Sequence, residues 1–141
     1  MISSAYLAGF FDGEGTIRII KTKPNQRWGI VSPRYAAGLT LPNTHLQTLK
    51  EIRASYGGRL NHAMGTNLPC YRLEWSSRQV EPLLTIMLPH LRVKRQRAFL
   101  LLRFIYYAKA VKHPGGKARR KSDVEMRERF YLALRKLNHP S

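Results

Sequence analysis

The chain has 141 residues, enough for one domain with a substantial core. Its 25 Lys and Arg against 8 Asp and Glu leave a formal charge of +17, which calls for a polyanionic partner, nucleic acid before an acidic membrane. With Cys70 as the one cysteine, five histidines away from ligand spacing, no apolar run of membrane length and no secretory leader, we expect no disulfide, no structural zinc, no membrane partner and an intracellular, reducing setting in cytoplasm or organelle matrix.

In chain order, a short helix comes first, over Tyr6-Leu7-Ala8-Gly9-Phe10-Phe11-Asp12-Gly13-Glu14-Gly15. Ser3 or Ser4 can cap it, because a hydroxyl oxygen there accepts a backbone N–H that has no partner in the helix. Gly13 and Gly15 are expected to stop it through a left-handed exit, which glycine takes without strain. Gly9 and Gly13 stand four apart beside Ala8, a strip without bulk that a second backbone can approach. Leu7, Phe10 and Phe11 surround the strip, and Glu14 projects just past the helix end. Thr16 to Lys23 reads as a strand, with Thr16, Arg18, Ile20 and Thr22 on one face and Ile17 and Ile19 on the other. Lys23-Pro24-Asn25-Gln26 is a turn signal.

A second strand runs from Arg34 to Leu41. Tyr35, Ala37, Leu39 and Leu41 share one face; the small or polar Arg34, Ala36, Gly38 and Thr40 share the other. A helix is expected to start at Asn43-Thr44, bury Leu46, Leu49 and Ile52, and end at Tyr56-Gly57-Gly58. Arg59 to His62 opens a third strand, and Gly65 to Pro69 is a loop. Cys70 to Trp75 is a fourth strand, with Tyr71, Leu73 and Trp75 inward and Cys70, Arg72 and Glu74 outward. Ser76 or Ser77 is expected to cap a helix carrying Val80, Leu83, Leu84, Met87 and Leu88; Pro82 is tolerated in its first turns. A long apolar helix follows from Ala98 to about Ala110. Residues 112–121 form a basic loop. Ser122 and Glu125 read as the capping box of a last helix, whose stripe is Val124, Tyr131, Leu134 and Leu137.

The segment Leu7 to Gly15 resembles, in order, the LAGLIDADG motif of homing endonucleases and related maturases, with Glu14 where the motif has Asp. The element order α-β-β-α-β-β-α-α is also that family's, and the Lys-Pro-Asn-Gln turn and Leu91 to Leu102 resemble it at matching distances, so the likeness covers about residues 5–108. It implies an α+β fold: an αββαββα core with a four-stranded antiparallel sheet backed by helices, plus a C-terminal helix over 122–138, all in a single domain over 1–141. It implies a site-specific homing endonuclease that hydrolyses phosphodiesters with a metal and makes a double-strand break in a long, near-palindromic target. The alternative on the same fold is an intron maturase with intron RNA as partner, or a DNA-binding protein that does not cut.

Phosphodiester hydrolysis needs an in-line water and a stabilised leaving oxygen; a divalent ion supplies both, and hard carboxylate oxygens hold it. The resemblance makes Glu14 the catalytic metal ligand, helped by the Gly13 carbonyl, with Mg²⁺ or Mn²⁺ as the ion. It puts Lys94 at the place of a basic residue near the scissile phosphate, and makes Asp12 structural instead of a ligand. Many relatives carry a Gln near the end of the second strand; Thr40-Leu41-Pro42-Asn43 has none, and Asn43 is the candidate substitute. The outward face of the sheet is expected to read double-stranded DNA in the major groove through Arg18, Thr22, Asn25, Gln26, Arg34, Thr40, Arg59, Asn61 and Arg72. Lys117, Arg119 and Arg120 are expected on phosphates. One motif supplies one carboxylate, so cutting both strands implies a homodimer joined along the motif helices through Leu7, Ala8, Gly9, Phe11 and Asp12.

Overall fold

The computed structural model describes residues 1–63, 70–111 and 118–140, so the expected loop from Gly65 to Pro69 and the candidate Lys117 lie outside the described residues. Helix α1 spans Ser4–Glu14, and the Ser3 hydroxyl accepts from Tyr6 N at 3.1 Å. Its exit is not left-handed: Gly13 and Glu14 stay helical and Gly15 is extended at φ −79°. Space, not backbone twist, calls for glycine at 15, because a Cβ there would sit 2.3 Å from the Phe11 ring.

Strands β1 (Thr16–Thr22), β2 (Arg34–Asn43), β3 (Arg59–Ala63) and β4 (Cys70–Ser76) form one antiparallel sheet in the order β1-β2-β4-β3. Residues directly opposite in an antiparallel pair share a face, so the register sorts the side chains. Ile17, Leu39 and Trp75 stand in one row of the closed face, and Leu41, Leu73 and Leu60 in the next. Arg18, Gly38 and Ser76 stand in one row of the open face, and Thr16, Thr40, Glu74 and Arg59 in the next.

Helices cover the closed face. Leu7, Ala8 and Phe11 of α1, Ile52 of α2 (Leu46–Tyr56), Leu84 of α3 (Val80–Met87) and Leu101 of α4 (Arg95–Ala110) are fully buried there with Ile17, Leu41 and Leu73. Each such leucine or phenylalanine contributes about 1.5–3 kcal/mol by leaving water. Two helix starts differ from expectation. β2 runs on to Asn43, so α2 is capped by His45, whose Nδ1 accepts from Thr48 N at 3.3 Å. Neither Ser76 nor Ser77 caps α3, which is entered through a 3-10 turn over Ser77–Gln79.

Helix α5 (Lys121–Asn138) also starts earlier than expected, which places Ser122 inside it; no side chain caps the helix and the Ser122–Glu125 box does not form. Its inward face carries Asp123, Arg127 and Leu134. Asp123 accepts from Arg127 Nε at 2.8 Å, from Tyr107 Oη of α4 at 2.9 Å and from Arg119 Nη1 at 3.1 Å. The same helix lies along β1, an edge strand. Asn138 Nδ2 donates to the Ile17 carbonyl at 2.8 Å, and Glu128 accepts from Lys21 at 2.6 Å and from Tyr35 at 2.7 Å. A covered edge cannot recruit a foreign strand. No helix among the described residues is long and apolar enough to cross a membrane.

Candidate active site and nucleic-acid interface

The end of α1 is locked to the residues ahead of α4 by reciprocal hydrogen bonds. Asp12 Oδ2 accepts from Arg92 N at 2.8 Å, and Oδ1 from Lys94 N at 3.0 Å. In return, the Lys94 ammonium donates to the Phe11 and Asp12 carbonyls at 3.0 and 2.7 Å. These carbonyls lie in the last turn of the helix, at the negative end of its dipole; that of Phe11 also accepts from Gly15 N at 2.9 Å. Burial first, then Arg97, holds the Lys94 pKa below the ordinary lysine range, against the opposing pull of Asp12 and Glu14. Lys94 is 8% exposed in this chain and anchors the α1 end through these bonds. Asp12 is likewise engaged within its own chain.

Beyond this lock the tip is open. Glu14 is exposed, and no donor among the described residues reaches the Gly13 carbonyl. The chain's eight carboxylate side chains separate clearly. Asp12, Glu74, Glu81, Asp123, Glu125 and Glu128 each have a hydrogen-bond or ion-pair partner; Glu14 and Glu51 have none among the described residues. In a chain of charge +17, a carboxylate at a rigid helix tip without a cation is the exception. Glu14 Oε and the Gly13 carbonyl are hard oxygen donors of the kind that Mg²⁺ takes. No cluster of three or more His, Cys, Asp or Glu is gathered among the described residues.

The outer side of α1 differs from the expected interface. Leu7, Ala8 and Phe11 are 0% exposed, consumed by the chain's own core, so they offer a partner no side-chain surface. The side that faces out carries Tyr6, Gly9, Phe10 and Gly13; a Cβ at Gly9 or Gly13 would meet nothing within 4 Å. The Tyr6 and Phe10 rings lie 6.1 Å apart beside this strip. Periodicity alone could not separate the two sides, because both are apolar or small.

The register brings Arg18, Thr22, Arg34, Thr40, Arg59, Asn61 and Arg72 onto the open face of the sheet. Of these, Thr40 is 8% exposed, on a strand with a neighbour on each side, and it offers little to a ligand. Asn25 and Gln26 sit in the exposed turn after β1, where Asn25 Oδ1 already accepts from Arg27 N at 3.0 Å. Asn43 falls in the closed-face register opposite Tyr71, and its Oδ1 accepts from His45 N at 2.8 Å. Arg119 is tied to Asp123 and is not a free phosphate contact; Arg120 is exposed at the start of α5.

Among curated proteins, none matches the chain. Solved structures do. The homing endonuclease I-CvuI, crystallised with its target in the presence of calcium, superposes with a TM-score of 0.77 at 21% identity, over 98% of this chain and 83% of that one. An archaeal intron-encoded homing endonuclease complexed with DNA gives 0.79 at 14% identity, over 98% and 85%. The homing endonuclease I-TnaI gives 0.73 at 14% identity, over 97% and 96%. At these identities the likeness establishes the fold, the α+β arrangement of four strands backed by helices. The family model of the LAGLIDADG endonucleases matches residues 7–106, most of the chain, and the chain belongs to that family.

Proposed function

We propose that this chain is a site-specific DNA endonuclease that works as a homodimer, with Glu14 and the Gly13 carbonyl of each copy holding a divalent ion, Mg²⁺ or Mn²⁺. The observation that carries the assignment is the Glu14 tip: an exposed carboxylate without a cationic partner, on a helix end fixed by four hydrogen bonds. When bound, the ion supplies the charge that orients an attacking water and stabilises the leaving oxygen. The protein's part is placement. Lys94 and Asp12 act as positioning residues that hold Gly13 and Glu14 at a constant height above the sheet end. Arg18, Arg34, Arg59 and Arg72 hold and read the duplex on the open face, which fits a major groove. The bare Gly9–Gly13 strip lets two α1 helices approach, so a two-fold axis brings two Glu14 tips to two strands. A symmetric reader requires a near-palindromic target, and the break is double-stranded.

What the solved structures share with this chain is the fold; DNA, calcium and magnesium appear with I-CvuI, and their use here is our reading of the tip. Selection of cleaved sites from a randomised DNA library with Mg²⁺ tests it. A defined, near-palindromic cut site is expected; full-length DNA at every concentration of folded protein would refute it. The alternative, binding of intron RNA, is not favoured by the family match; on this chain it would use α4, where Phe99 and Tyr106 are 51% and 55% exposed and flank Arg103 on one helical face. Exposed aromatics interleaved with arginine suit stacking of unpaired bases. Loss of RNA binding in Phe99→Ala with Tyr106→Ala, with cleavage intact, would support it.

A further inference from the structure

The open face of the sheet is basic with one exception. Among the described residues it carries Arg18, Arg34, Arg59 and Arg72, and against them the single acid Glu74. A carboxylate on a surface that meets a polyanion repels it, so its presence needs a specific role. Glu74 stands opposite Thr40 on one side and Arg59 on the other, at the centre of the sheet. Its Oε1 lies 3.7 Å from Arg72 Nε, and its Oε2 accepts from Asn61 Nδ2 at 3.4 Å. Both contacts are long, and an ionised carboxylate has about four lone-pair sites, so acceptor capacity remains. The side chain is 31% exposed, enough for that capacity to face a ligand. Arg72, approached at Nε, keeps its two terminal nitrogens for another partner.

We propose that Glu74 is a specificity residue: it orients Arg72 toward a guanine and itself accepts the N4 amino group of the cytosine paired with that guanine. Arginine pairs through two donors with guanine O6 and N7, and a carboxylate accepts from cytosine N4. Cytosine fits better than adenine because adenine sets the N7 acceptor beside its amino group, where it repels a carboxylate. Thymine and guanine present acceptors at the same place and are rejected by like charge. Glu74 thus trades general attraction to phosphate for selection of one G·C pair in each half-site.

The inference rests on the reading that the open face meets DNA, and the test separates the two. Bound sequences are selected from a randomised library in Ca²⁺, so that readout does not depend on cutting, for the full-length wild type and for Glu74→Gln. Wild type is expected to return a defined site with a G·C pair at one position of each half. Glu74→Gln is expected to lose about tenfold of the preference at that position. It should keep preference elsewhere and bind random DNA at least as tightly as wild type, since a like charge is gone. If wild type returns a defined site and Glu74→Gln returns the same profile, the role of Glu74 is refuted while the DNA reading stands. Flattening at all positions together would also refute it, by showing a general disturbance of the face. If wild type selects no sequence, both fall.

Discussion

Two carboxylates in this very basic chain have opposite surroundings. Asp123, on α5, lies against α4 with three donors around it and 7% of its side chain exposed. Glu14 stands at the α1 tip with none among the described residues. Burial alone would raise the Asp123 pKa, but the bonds from Arg127, Tyr107 and Arg119 outweigh it and hold it below the ordinary carboxylate value. Asp123 is an acid whose interactions are complete; it holds two helices together and has nothing left for a ligand. Glu14 is held rigidly from behind, through Asp12 and Lys94, while its own oxygens are left open. Of these two acids, the satisfied one serves structure, and the open one is the proposed metal ligand.

The largest effect expected on this contrast comes from Gly9→Leu. No atom lies within 4 Å of a Cβ at Gly9, so the single chain should fold as before and gain up to about 1 kcal/mol from the better helix former. The dimer should be lost and cleavage with it. Sedimentation and cleavage assays check this together; a Gly9→Leu dimer that still cuts would remove α1 from the interface.

Next comes Asp123→Ala. It leaves Arg127, 4% exposed, as a buried cation without its partner, which costs about 3–5 kcal/mol. Denaturant unfolding should show that loss, while cutting per folded molecule at low temperature stays near wild type. If instead cutting collapses with stability intact, the division between the two carboxylates is wrong.

The α5 contacts also predict a dependence on pH. Glu128 is held below its ordinary pKa by Lys21 and Tyr35, and Asp123 is depressed as described. Their contribution is present above the ordinary carboxylate range, near pH 4, and is lost as pH falls through the folded values. Tyr35 and Tyr107 are pushed up, by burial first and then by Glu128 and Asp123 respectively. Their contribution is present below about pH 10 and is lost as pH rises through the folded values. Thermal unfolding from pH 3 to 11 should show a plateau that falls at both ends. With Asp123→Ala the acid fall should shrink.

The smallest effect is on salt. Arg120 is exposed, and if it meets one phosphate, Arg120→Ala should lower the slope of log K against log[salt] by roughly 0.9. Arg119→Ala, which opens the Asp123 cluster, should reduce stability more than slope.

Much of the sheet was legible in sequence. The alternation in Thr16–Thr22 and Cys70–Ser76 named both faces because one face is buried and the other is not. The α1 tip was legible through the motif resemblance. Three things were not. Which side of α1 turns inward depends on packing against β2 and α3, since Leu7, Phe10 and Phe11 are equally apolar. Thr40 reads as an open-face contact until the strand order places β2 between two neighbours. Nothing in the sequence marks Asp123 and Arg127 as buried, because their burial depends on Tyr107 arriving from another helix. Helix starts failed for a related reason: Asn43 and Ser122 are good caps, but β2 extends through the first and α5 begins before the second.

The account stands most directly on Glu14→Gln, which keeps the shape of the side chain and removes the charge that would hold a metal. On the selected target with Mg²⁺, cleavage should fall by roughly a thousandfold or more, the scale of several kcal/mol of metal assistance. Binding of the same DNA in Ca²⁺ should stay close to wild type. A Glu14→Gln protein that binds and still cuts at near wild-type rate would contradict the assignment of the tip.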